Sequence, residues 1–265
     1  MKTVDRRSLS THDSRRPTVY LVGAGPGAPD LLTLRAARLL QEADIVFYDA
    51  LVHPETVALA QRAEKIAVGK RCGRHSTAQK FINKRLLDAA RKYRCIVRLK
   101  GGDPMLFGRA QEELDALEAA GIDYEVVPGV TAALAASATI GVSLTRRGLA
   151  RNVAFVTPRV GETERASDWA AAALHADTAA IYMGAGEAAR ITATLLARGR
   201  ATDTPVALVE SASLPGTRAR YATLAELPAL AAQVGDGPAM ILLGEVLREK
   251  LALQPATALV QQRSA

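Results

Sequence analysis

The sequence is poor in features on which several common functions depend. Aromatic residues make up only 4% of the chain, and no run interleaves basic and aromatic side chains. A base-stacking platform for single-stranded nucleic acid is therefore missing. No uninterrupted apolar stretch reaches about 18 residues, and the first residues lack the apolar segment of a signal peptide. We therefore expect a soluble globular protein without a membrane span.

Cysteine and histidine are also scarce. The only two cysteines, Cys72 and Cys95, do not form a CxxC pair, which fits a reducing cytoplasm. The four histidines are scattered and form no HxxxH or HxxEH group. The sequence therefore predicts no metal site, and capping or exposed roles are expected for the histidines.

The chain is long enough, and apolar enough, for one large domain or two of ordinary size. It has 265 residues, of which 49% are hydrophobic. Its formal net charge of +7 indicates that the protein tolerates or attracts anions without indicating which kind. Nucleic acid, acidic lipid and a polycarboxylate metabolite all stay open on charge alone.

Short apolar strands alternate with helical segments along most of the sequence. The expected strands are residues 18–22, 45–48, 66–68, 96–100, 124–127, 153–157, 179–183, 206–210 and 239–243. Strands that are apolar on both faces and alternate with helices predict an α/β fold with mostly parallel sheets. We expect two α/β domains, residues 17–140 and 141–252, between a disordered tail (1–16) and a polar tail (253–265).

Two helix starts and one turn stand out. Asp30 is placed to cap the first helix. The strand of residues 96–100 breaks at Gly101 and Gly102, and Asp103 followed by Pro104 predicts a helix N-terminus. In an open α/β sheet, ligands bind at such a carboxyl end of a strand. On these residues alone, a capped turn with a purely structural role is an equal alternative.

A dinucleotide-binding site is a weaker alternative. Residues 23–27 are rich in glycine and follow the first strand, and Asp49 ends the second. The third glycine has the wrong spacing for GxGxxG, however, and Pro26 removes a backbone donor that would bind a pyrophosphate. An NAD-dependent dehydrogenase is therefore disfavoured.

Nine motifs, in order and at matching spacing, resemble the tetrapyrrole methylases that use S-adenosyl-L-methionine. They are VGAGPG (22–27), DLLTLRA (30–36), ADIVFYDALV (43–52), VGKRCGRHS (68–76), VRLKGGDPMLFGR (97–109), VVPGVTAA (126–133), YMG (182–184), PVALVE (205–210) and GPAMILLGEV (237–246). Within the family, the motifs at 68–76 and 97–109 are most similar to those of enzymes that methylate uroporphyrinogen III.

The resemblance implies a fold, a cofactor and a reaction. It implies two α/β domains with an intervening cofactor cleft, paired in a homodimer, with S-adenosyl-L-methionine as donor and S-adenosyl-L-homocysteine as product. The implied substrate is uroporphyrinogen III, methylated at C-2 and C-7 to give precorrin-1 and then precorrin-2, toward siroheme or cobalamin. No N-terminal domain for dehydrogenation and iron insertion precedes the motifs, so we expect the reaction to stop at precorrin-2.

Carried over motif by motif, the resemblance also implies three sets of site residues. The donor-binding set is Pro26, Gly101, Gly102, Asp103, Leu106, Thr131, Ala132, Met183, Ala212 and Ala239. The proton acceptor is Asp49 and the proton donor is Lys70. The arginines expected to bind substrate carboxylates are Arg71, Arg74, Arg109, Arg146, Arg147 and Arg151. The structural alternatives are a loop cap for Asp49, a surface ion pair for Lys70, plain core for Met183 and solvated surface residues for the arginines.

The chain departs from the family pattern at two places near the expected substrate side. Ala110-Gln111 stands where Gly-Gly is frequent, and Thr145-Arg146-Arg147 stands where Thr-His-Arg is frequent. Three competing functions stay open: a precorrin methyltransferase acting at another ring position, a more distant ribosomal RNA methyltransferase, and a non-catalytic anion-binding module.

Overall fold

The computed structural model describes residues 16–69, 77–161 and 167–253, so nearly all of both predicted tails lies outside the described residues. The chain divides into two compact units. The first contains the residues before Gly25 together with Leu32–Gly129, and the second contains Gly25–Leu31 and the residues from Val130 onward. Within these described segments, every helix is too short or too polar to cross a bilayer.

The first unit is a parallel sheet with helices packed on it. Its strands are β1 (Thr18–Gly23), β2 (Ile45–Tyr48), β3 (Glu64–Ala67), β4 (Cys95–Lys100) and β5 (Asp123–Val127). Its helices are α1 (Leu34–Glu42), α2 (Pro54–Ala58), α3 (Thr77–Ala89) and α4 (Ala110–Ala119). The strand order is β3-β2-β4-β1-β5, and every neighbouring pair is parallel, as the sequence predicted.

Both faces of this sheet are buried, and β4 contributes to both. Val97 and Leu99 belong to the core formed with α1, whereas Ile96 belongs to the core formed with α3 and α4. Since side chains alternate between the faces of a strand, Arg98 and Lys100 lie on the same face as Ile96. Two charged side chains are thereby buried beneath α3 and α4.

The predicted cap of the first helix is wrong. Helix α1 begins at Leu34, and its N-cap is Thr33, whose hydroxyl accepts a hydrogen bond from the Ala36 N–H at 3.2 Å. Asp30 lies in a separate single turn of 3-10 helix, Pro29–Leu31. The threonine oxygen satisfies one of the free N–H groups at the helix start, so no acid is needed there.

The second unit is a mixed sheet. Its strands are β6 (Val153–Val156), β7 (Thr178–Ile181), β8 (Pro205–Glu210), β9 (Arg218–Thr223) and β10 (Ala239–Gly244). Its helices are α5 (Ala132–Ile140), α6 (Trp169–His175), α7 (Ala188–Ala197), α8 (Leu227–Ala231) and α9 (Arg248–Ala252). The strand order is β6-β7-β10-β8-β9.

The α/β class is confirmed, but mostly parallel pairing is wrong for this second sheet. Only β6 and β7 pair in parallel, while β10 is antiparallel to β7 and to β8, and β8 is antiparallel to β9. The connection between β8 and β9, residues 211–217, is too short for a helical crossover, so these strands must run in opposite directions. Strand β9 carries two arginines and was not predicted from its sequence.

Helix α5 belongs to the second unit, although the sequence prediction placed it before the division near residue 140. Ala133, Ala136 and Ile140 share a buried core with Met240 and Leu242 of β10. This packing places the start of the second unit at Val130.

Candidate active site

Several candidate residues of the first unit lie at the carboxyl end of its parallel strands. Asp49 follows β2, Gly101 and Gly102 follow β4, and Gly129 lies just beyond β5. Because these strands run in parallel, their carboxyl ends lie at the same end of the sheet. Ligands of open α/β sheets bind at that end.

Three glycines bring the turns after β1, β4 and β5 into backbone contact. A Cβ atom at Gly23 would lie 2.6 Å from the Cα of Gly129, and a Cβ at Gly129 would clash with the carbonyl oxygen of Gly102. Gly102 also has a φ of +66°, a conformation that favours glycine. Packing therefore requires glycine at Gly23 and Gly129, and the backbone conformation favours it at Gly102, whether or not a ligand binds.

Gly101 differs from these three glycines. It is exposed, its backbone is outside the left-handed region, and an added Cβ would meet only the Cβ of Leu51, at an ordinary 3.6 Å. The fold itself therefore has room for a side chain at this position. A glycine here leaves the backbone open to close approach by a ligand, which the packing alone does not explain.

Asp103 ties two of the turns together. Its Oδ1 accepts a hydrogen bond from the Met105 N–H at 2.8 Å, and its Oδ2 accepts one from the Gly129 N–H at 2.9 Å. The predicted helix start at Pro104 is wrong, because α4 begins only at Ala110. A carboxylate accepts about four hydrogen bonds, so each oxygen keeps capacity for a ligand.

The loop between Asp103 and α4 is conformationally strained. Phe107 and Arg109 have φ values of 52° and 55°, in the left-handed region that non-glycine residues rarely adopt. Such strain is concentrated at functional sites. Leu106 lies half-buried in this loop, and the Arg109 guanidinium forms two hydrogen bonds with Glu112, at 2.6 and 2.8 Å.

Asp49 lies at one end of a largely buried network of four charged side chains. Its Oδ1 accepts a hydrogen bond from Arg98 at 2.6 Å, and the Arg98 Nε donates to Glu113 at 3.0 Å. The Lys100 ammonium lies 3.1 and 3.2 Å from the two Glu113 oxygens. Arg98, Lys100 and Glu113 are 2%, 3% and 0% exposed, whereas the Asp49 side chain is 29% exposed. Of the four side chains in this network, only Asp49 has substantial access to solvent.

The charges shift one another's proton affinity. Burial alone would lower the pKa of Arg98, but the charges of Asp49 and Glu113 outweigh it and raise that pKa above its ordinary value. Burial, and then the neighbouring charge of Arg98, lowers the pKa of Lys100 against the attraction of Glu113. The guanidinium therefore stays charged, so Asp49 keeps a permanent cationic partner.

Three predicted residues, Lys70, Arg71 and Arg74, lie outside the described residues. The segment leading to them packs against the candidate proton acceptor. A Cβ at Gly69 would lie 3.0 Å from the Cα of Asp49 and would clash with the backbone of Ala50. Their roles stay predictions.

Three further candidates lie together at one end of the strands in the second unit's sheet. Ala239, at the start of β10, is paired in register with Glu210 at the end of β8, because the two strands are antiparallel. Ala212 follows that end of β8, and Met183 follows β7, the other neighbour of β10. Met183 is 44% exposed with a φ of 54°, so its interpretation as plain core is wrong.

The segment that contains Pro26 is anchored beside Ala212. The Ala28 N–H donates to the Ser213 hydroxyl at 3.1 Å, and a Cβ at Gly27 would lie 3.0 Å from the Leu214 side chain. Pro26 itself is half-buried. The structure thus collects Pro26 and Ala212, which lie far apart in the sequence, within the second unit.

Tyr182 fixes the start of α5, where two more candidates lie. Its hydroxyl forms a 2.6 Å hydrogen bond with the Thr131 hydroxyl and accepts another from the Ala133 N–H at 3.3 Å. Thr131 is buried, and Ala132 is half-buried. The phenol therefore determines where the Thr131-Ala132 turn lies relative to Met183, the neighbour of Tyr182 in the chain.

This arrangement predicts a measurable effect on stability. Tyr182→Phe is expected to lower the free energy of unfolding by about 1–2 kcal/mol, because the Thr131 hydroxyl and the Ala133 N–H lose their common partner. Urea denaturation measures the change. The control Tyr124→Phe, at an exposed tyrosine of β5, should change stability by no more than about 0.5 kcal/mol. Equal effects of the two substitutions would contradict the assigned role of Tyr182.

Three arginines predicted to bind substrate lie in the segment between α5 and β6. Arg146 forms an ion pair with Glu249 at 2.8 Å, and its backbone pairs with Ala150 around a tight turn. Arg147 and Arg151 are exposed. The turn thereby presents a concentration of positive charge on the second unit.

Cys95 has a weakly acidic thiol, and the described residues contain no cluster of metal ligands. Burial, together with the nearby Asp44 charge, raises the pKa of Cys95 to about 12, so its reactive thiolate is scarce. Within residues 16–69, 77–161 and 167–253, no group of three or more histidine, cysteine, aspartate or glutamate side chains could hold a metal ion.

The sequence interpretation missed the buried residues that support the candidate site. Arg98 and Lys100 alternate with apolar residues in a central strand, and Glu113 stands four residues before Leu117 on the apolar face of α4. Charges at positions that periodicity assigns to a core are a signal for buried pairing. Tyr182 gave no such signal, because its partners come from a distant segment.

Comparison with known proteins gives one family match and several similar chains. Residues 18–228 match the tetrapyrrole (corrin/porphyrin) methylases. The chain is 45% identical over 239 residues to a siroheme synthase of Zymomonas mobilis, covering 90% of this chain and 50% of that protein. It is 48% identical over 230 residues to siroheme synthase 3 of Aeromonas hydrophila, covering 86% and 49%. The chain thus spans about half the length of these curated relatives.

Solved structures of similar chains agree with the fold. Uroporphyrin-III C-methyl transferase from Thermus thermophilus, complexed with S-adenyl homocysteine, superposes with a TM-score of 0.77 at 44% identity, covering 88% of this chain and 99% of that one. A cobalt precorrin-4 methyltransferase superposes with a TM-score of 0.76 at 30% identity, covering 87% and 95%.

Proposed function

The chain belongs to the tetrapyrrole (corrin/porphyrin) methylases, and we propose that it methylates uroporphyrinogen III with S-adenosyl-L-methionine to give precorrin-2. The observation that carries the proposal is the open backbone at Gly101. This glycine lies beside Asp103 and at the same end of the sheet as Asp49. The similarity to a uroporphyrin-III C-methyl transferase structure over 99% of that chain supports the choice of substrate.

The residues present suit the donor. A sulfonium nucleoside needs close backbone approach and acceptor oxygens more than it needs the N–H donors of a phosphate site. The open backbone at Gly101 and the remaining acceptor capacity of Asp103 meet this need, together with Gly102 and Leu106. The resemblance also assigns six residues of the second unit to the donor: Pro26, Thr131, Ala132, Met183, Ala212 and Ala239.

The chemistry requires orientation and proton transfer. The donor supplies an electrophilic methyl group when bound. A nucleophilic pyrrole carbon forms the new C–C bond as the C–S bond breaks, so the protein gains most by orienting the two reactants. Asp49 then accepts the proton that the methylated ring system loses. The ion pair with Arg98 holds the Asp49 carboxylate in place for this step. The resemblance also assigns a proton donor, Lys70, whose proton would go to a second position on the tetrapyrrole, with Lys70 reprotonated from solvent.

Positive charge on the chain suits a substrate with eight carboxylates. Arg71, Arg74, Arg109, Arg146, Arg147 and Arg151 are the arginines that we assign to these carboxylates. Arg109 and Arg146 already form ion pairs with glutamates, whereas Arg147 and Arg151 extend from the surface. Arginine is well suited to this role because its fork matches a carboxylate.

We expect Arg147→Ala to raise the KM for uroporphyrinogen III about 5- to 10-fold with little change in kcat, because it removes binding made equally in ground and transition states. Steady-state kinetics at saturating donor measure the effect. Arg190→Ala, at an exposed arginine of α7, is the control. An unchanged KM in Arg147→Ala would remove Arg147 from the substrate site.

The proposal is tested by incubating the chain with S-adenosyl-L-methionine and enzymatically generated uroporphyrinogen III. Mass spectrometry should show two added methyl groups, and the absorbance of the product should match that of oxidised precorrin-2. Methylation of precorrin-2 without reaction on uroporphyrinogen III would indicate a later enzyme of the family. Methylation of purified ribosomal RNA alone would indicate the distant alternative.

Two further assignments rest on the resemblance. We propose a homodimer in the cytoplasm, the latter consistent with only two cysteines and no CxxC pair. Light scattering of the purified chain tests the dimer, and a monomer at micromolar concentration would contradict it. The curated relatives are siroheme synthases, which favours siroheme over cobalamin as the product of the path that consumes precorrin-2.

A further inference from the structure

The four charges between Asp49 and Lys100 invite an explanation other than stability. Moving charged groups out of water costs free energy that their mutual attraction recovers only with good geometry, and apolar residues of similar size often stabilise a core equally well. Three of the four groups are nearly inaccessible, and the fourth, Asp49, reaches solvent at the candidate site. The arrangement therefore makes sense if its purpose is to control Asp49.

Glu113 holds the centre of this arrangement. Its Oε1 accepts hydrogen bonds from Arg98 at 3.0 Å, from Lys100 at 3.1 Å and from the Gln79 amide at 3.2 Å. These donors come from β4 and α3, and Glu113 itself comes from α4. The carboxylate is thus fixed from several directions, and it is the counter-charge that lets two cations lie side by side in the core.

Arg98 transmits this fixed position to Asp49. Its Nε is held by Glu113, and its Nη1 donates to the Leu99 carbonyl oxygen at 3.2 Å. The same carbonyl oxygen accepts the backbone N–H of Asp49, also at 3.2 Å. The planar guanidinium therefore has two of its corners fixed, and its Nη2 can meet the Asp49 carboxylate in only one orientation.

We propose that Glu113 and Lys100 are positioning residues for Asp49, acting through Arg98. Glu113 orients the guanidinium that holds the Asp49 carboxylate, and Lys100 balances the charge of Glu113 so that Arg98 is not drawn away from Asp49. Neither residue touches the substrate in this account. The inference rests on the proposed function, because it gives Asp49 a proton to accept.

Glu113→Gln tests the proposal against its control Glu118→Gln, at an exposed glutamate of the same helix. Removal of the central charge leaves Arg98 and Lys100 repelling each other, so we expect kcat to fall about 10-fold or more, while the calorimetric Kd for S-adenosyl-L-homocysteine stays within about threefold. Thermal unfolding establishes that the variant is folded. Glu118→Gln should match the wild type in both quantities.

A charge-compensated variant separates positioning from general damage. In the double variant Lys100→Met with Glu113→Gln, the glutamine oxygen can still accept from the Arg98 Nε, and the repulsion with Lys100 is gone. The double variant should therefore be faster than Glu113→Gln, although it changes more of the core. A double variant no faster than the single one would overturn the proposal.

A spectroscopic measurement gives an answer that needs no substrate. The side-chain carboxyl carbon of Asp49, assigned by the loss of its NMR signal in Asp49→Asn, should shift in Glu113→Gln and not in Glu118→Gln. A folded Glu113→Gln variant with wild-type kcat and an unmoved Asp49 signal overturns the inference. If the wild-type chain does not methylate uroporphyrinogen III, the proposed function fails, and the NMR comparison still decides whether Glu113 controls Asp49.

Should Glu113→Gln not fold, Arg98→Lys decides the question. The lysine keeps the positive charge, but a single ammonium cannot reproduce the fork that joins Glu113, the Leu99 carbonyl oxygen and Asp49. The same loss of kcat and the same shift of the Asp49 signal are expected. Wild-type kcat with an unmoved signal in Arg98→Lys would overturn the proposal.

Discussion

Gly101→Val is expected to abolish the binding of S-adenosyl-L-methionine while leaving the protein folded. The added side chain occupies the space above the turn after β4, where the backbone is open and where we place the donor. We expect an affinity loss of at least about 100-fold, equivalent to roughly 2.7 kcal/mol, in calorimetric titration with the donor or its product. Stability should change little, because the new Cβ would meet only Leu51 at 3.6 Å.

A second glycine provides the control for this substitution. Gly216 is also exposed, has nothing within 4 Å of an added Cβ, and lies outside the residues assigned to the donor. Gly216→Val should therefore bind the donor with wild-type affinity. Retained affinity in a folded Gly101→Val protein would mean that the turn has only a structural role.

Asp49→Asn is expected to slow methyl transfer about 10²- to 10⁴-fold, the range typical of a lost general base. The amide keeps an oxygen that can accept from Arg98, so the local structure should persist, but the amide has negligible basicity. Donor affinity should stay near the wild-type value, because the backbone at Gly101 is untouched. Single-turnover kinetics with saturating donor and uroporphyrinogen III measure the rate.

Asp115→Asn is the matched control for Asp49→Asn. Asp115 is an exposed aspartate on α4 that accepts a hydrogen bond from Gln111, so its carboxylate is also paired but lies in a different environment. The Asp115→Asn variant should methylate uroporphyrinogen III at the wild-type rate. Unchanged turnover in Asp49→Asn would remove Asp49 from the role of proton acceptor.

The sequence predicted the first sheet better than the second for a physical reason. Strands such as β1 and β2 are buried on both faces and appear as short apolar runs between helices, which is the pattern of a parallel sheet. The apolar strand β8 gives the same pattern, although both of its partners are antiparallel. The direction of a strand depends on the length of the connection before it. Because the polar strand β9 was not predicted from the sequence, the short connection between β8 and β9 was not recognised.

The candidate site was predictable where a motif carries local geometry. The break at Gly101 and Gly102 and the position of Asp49 at the end of β2 follow from neighbouring residues in the chain. The helix predicted at Pro104 was wrong because Asp103 bonds to Gly129 on a distant strand end, a contact that no local pattern contains. The partners of Arg98 were missed for the same reason, since its two carboxylates come from separate elements.

A crystal structure of the chain with S-adenosyl-L-homocysteine tests the central claim most directly. We predict that the ligand contacts the backbone of Gly101 and Gly102, with the Asp49 carboxylate still bonded to Arg98. A ligand bound elsewhere, with no contact to the turn after β4, would contradict the account.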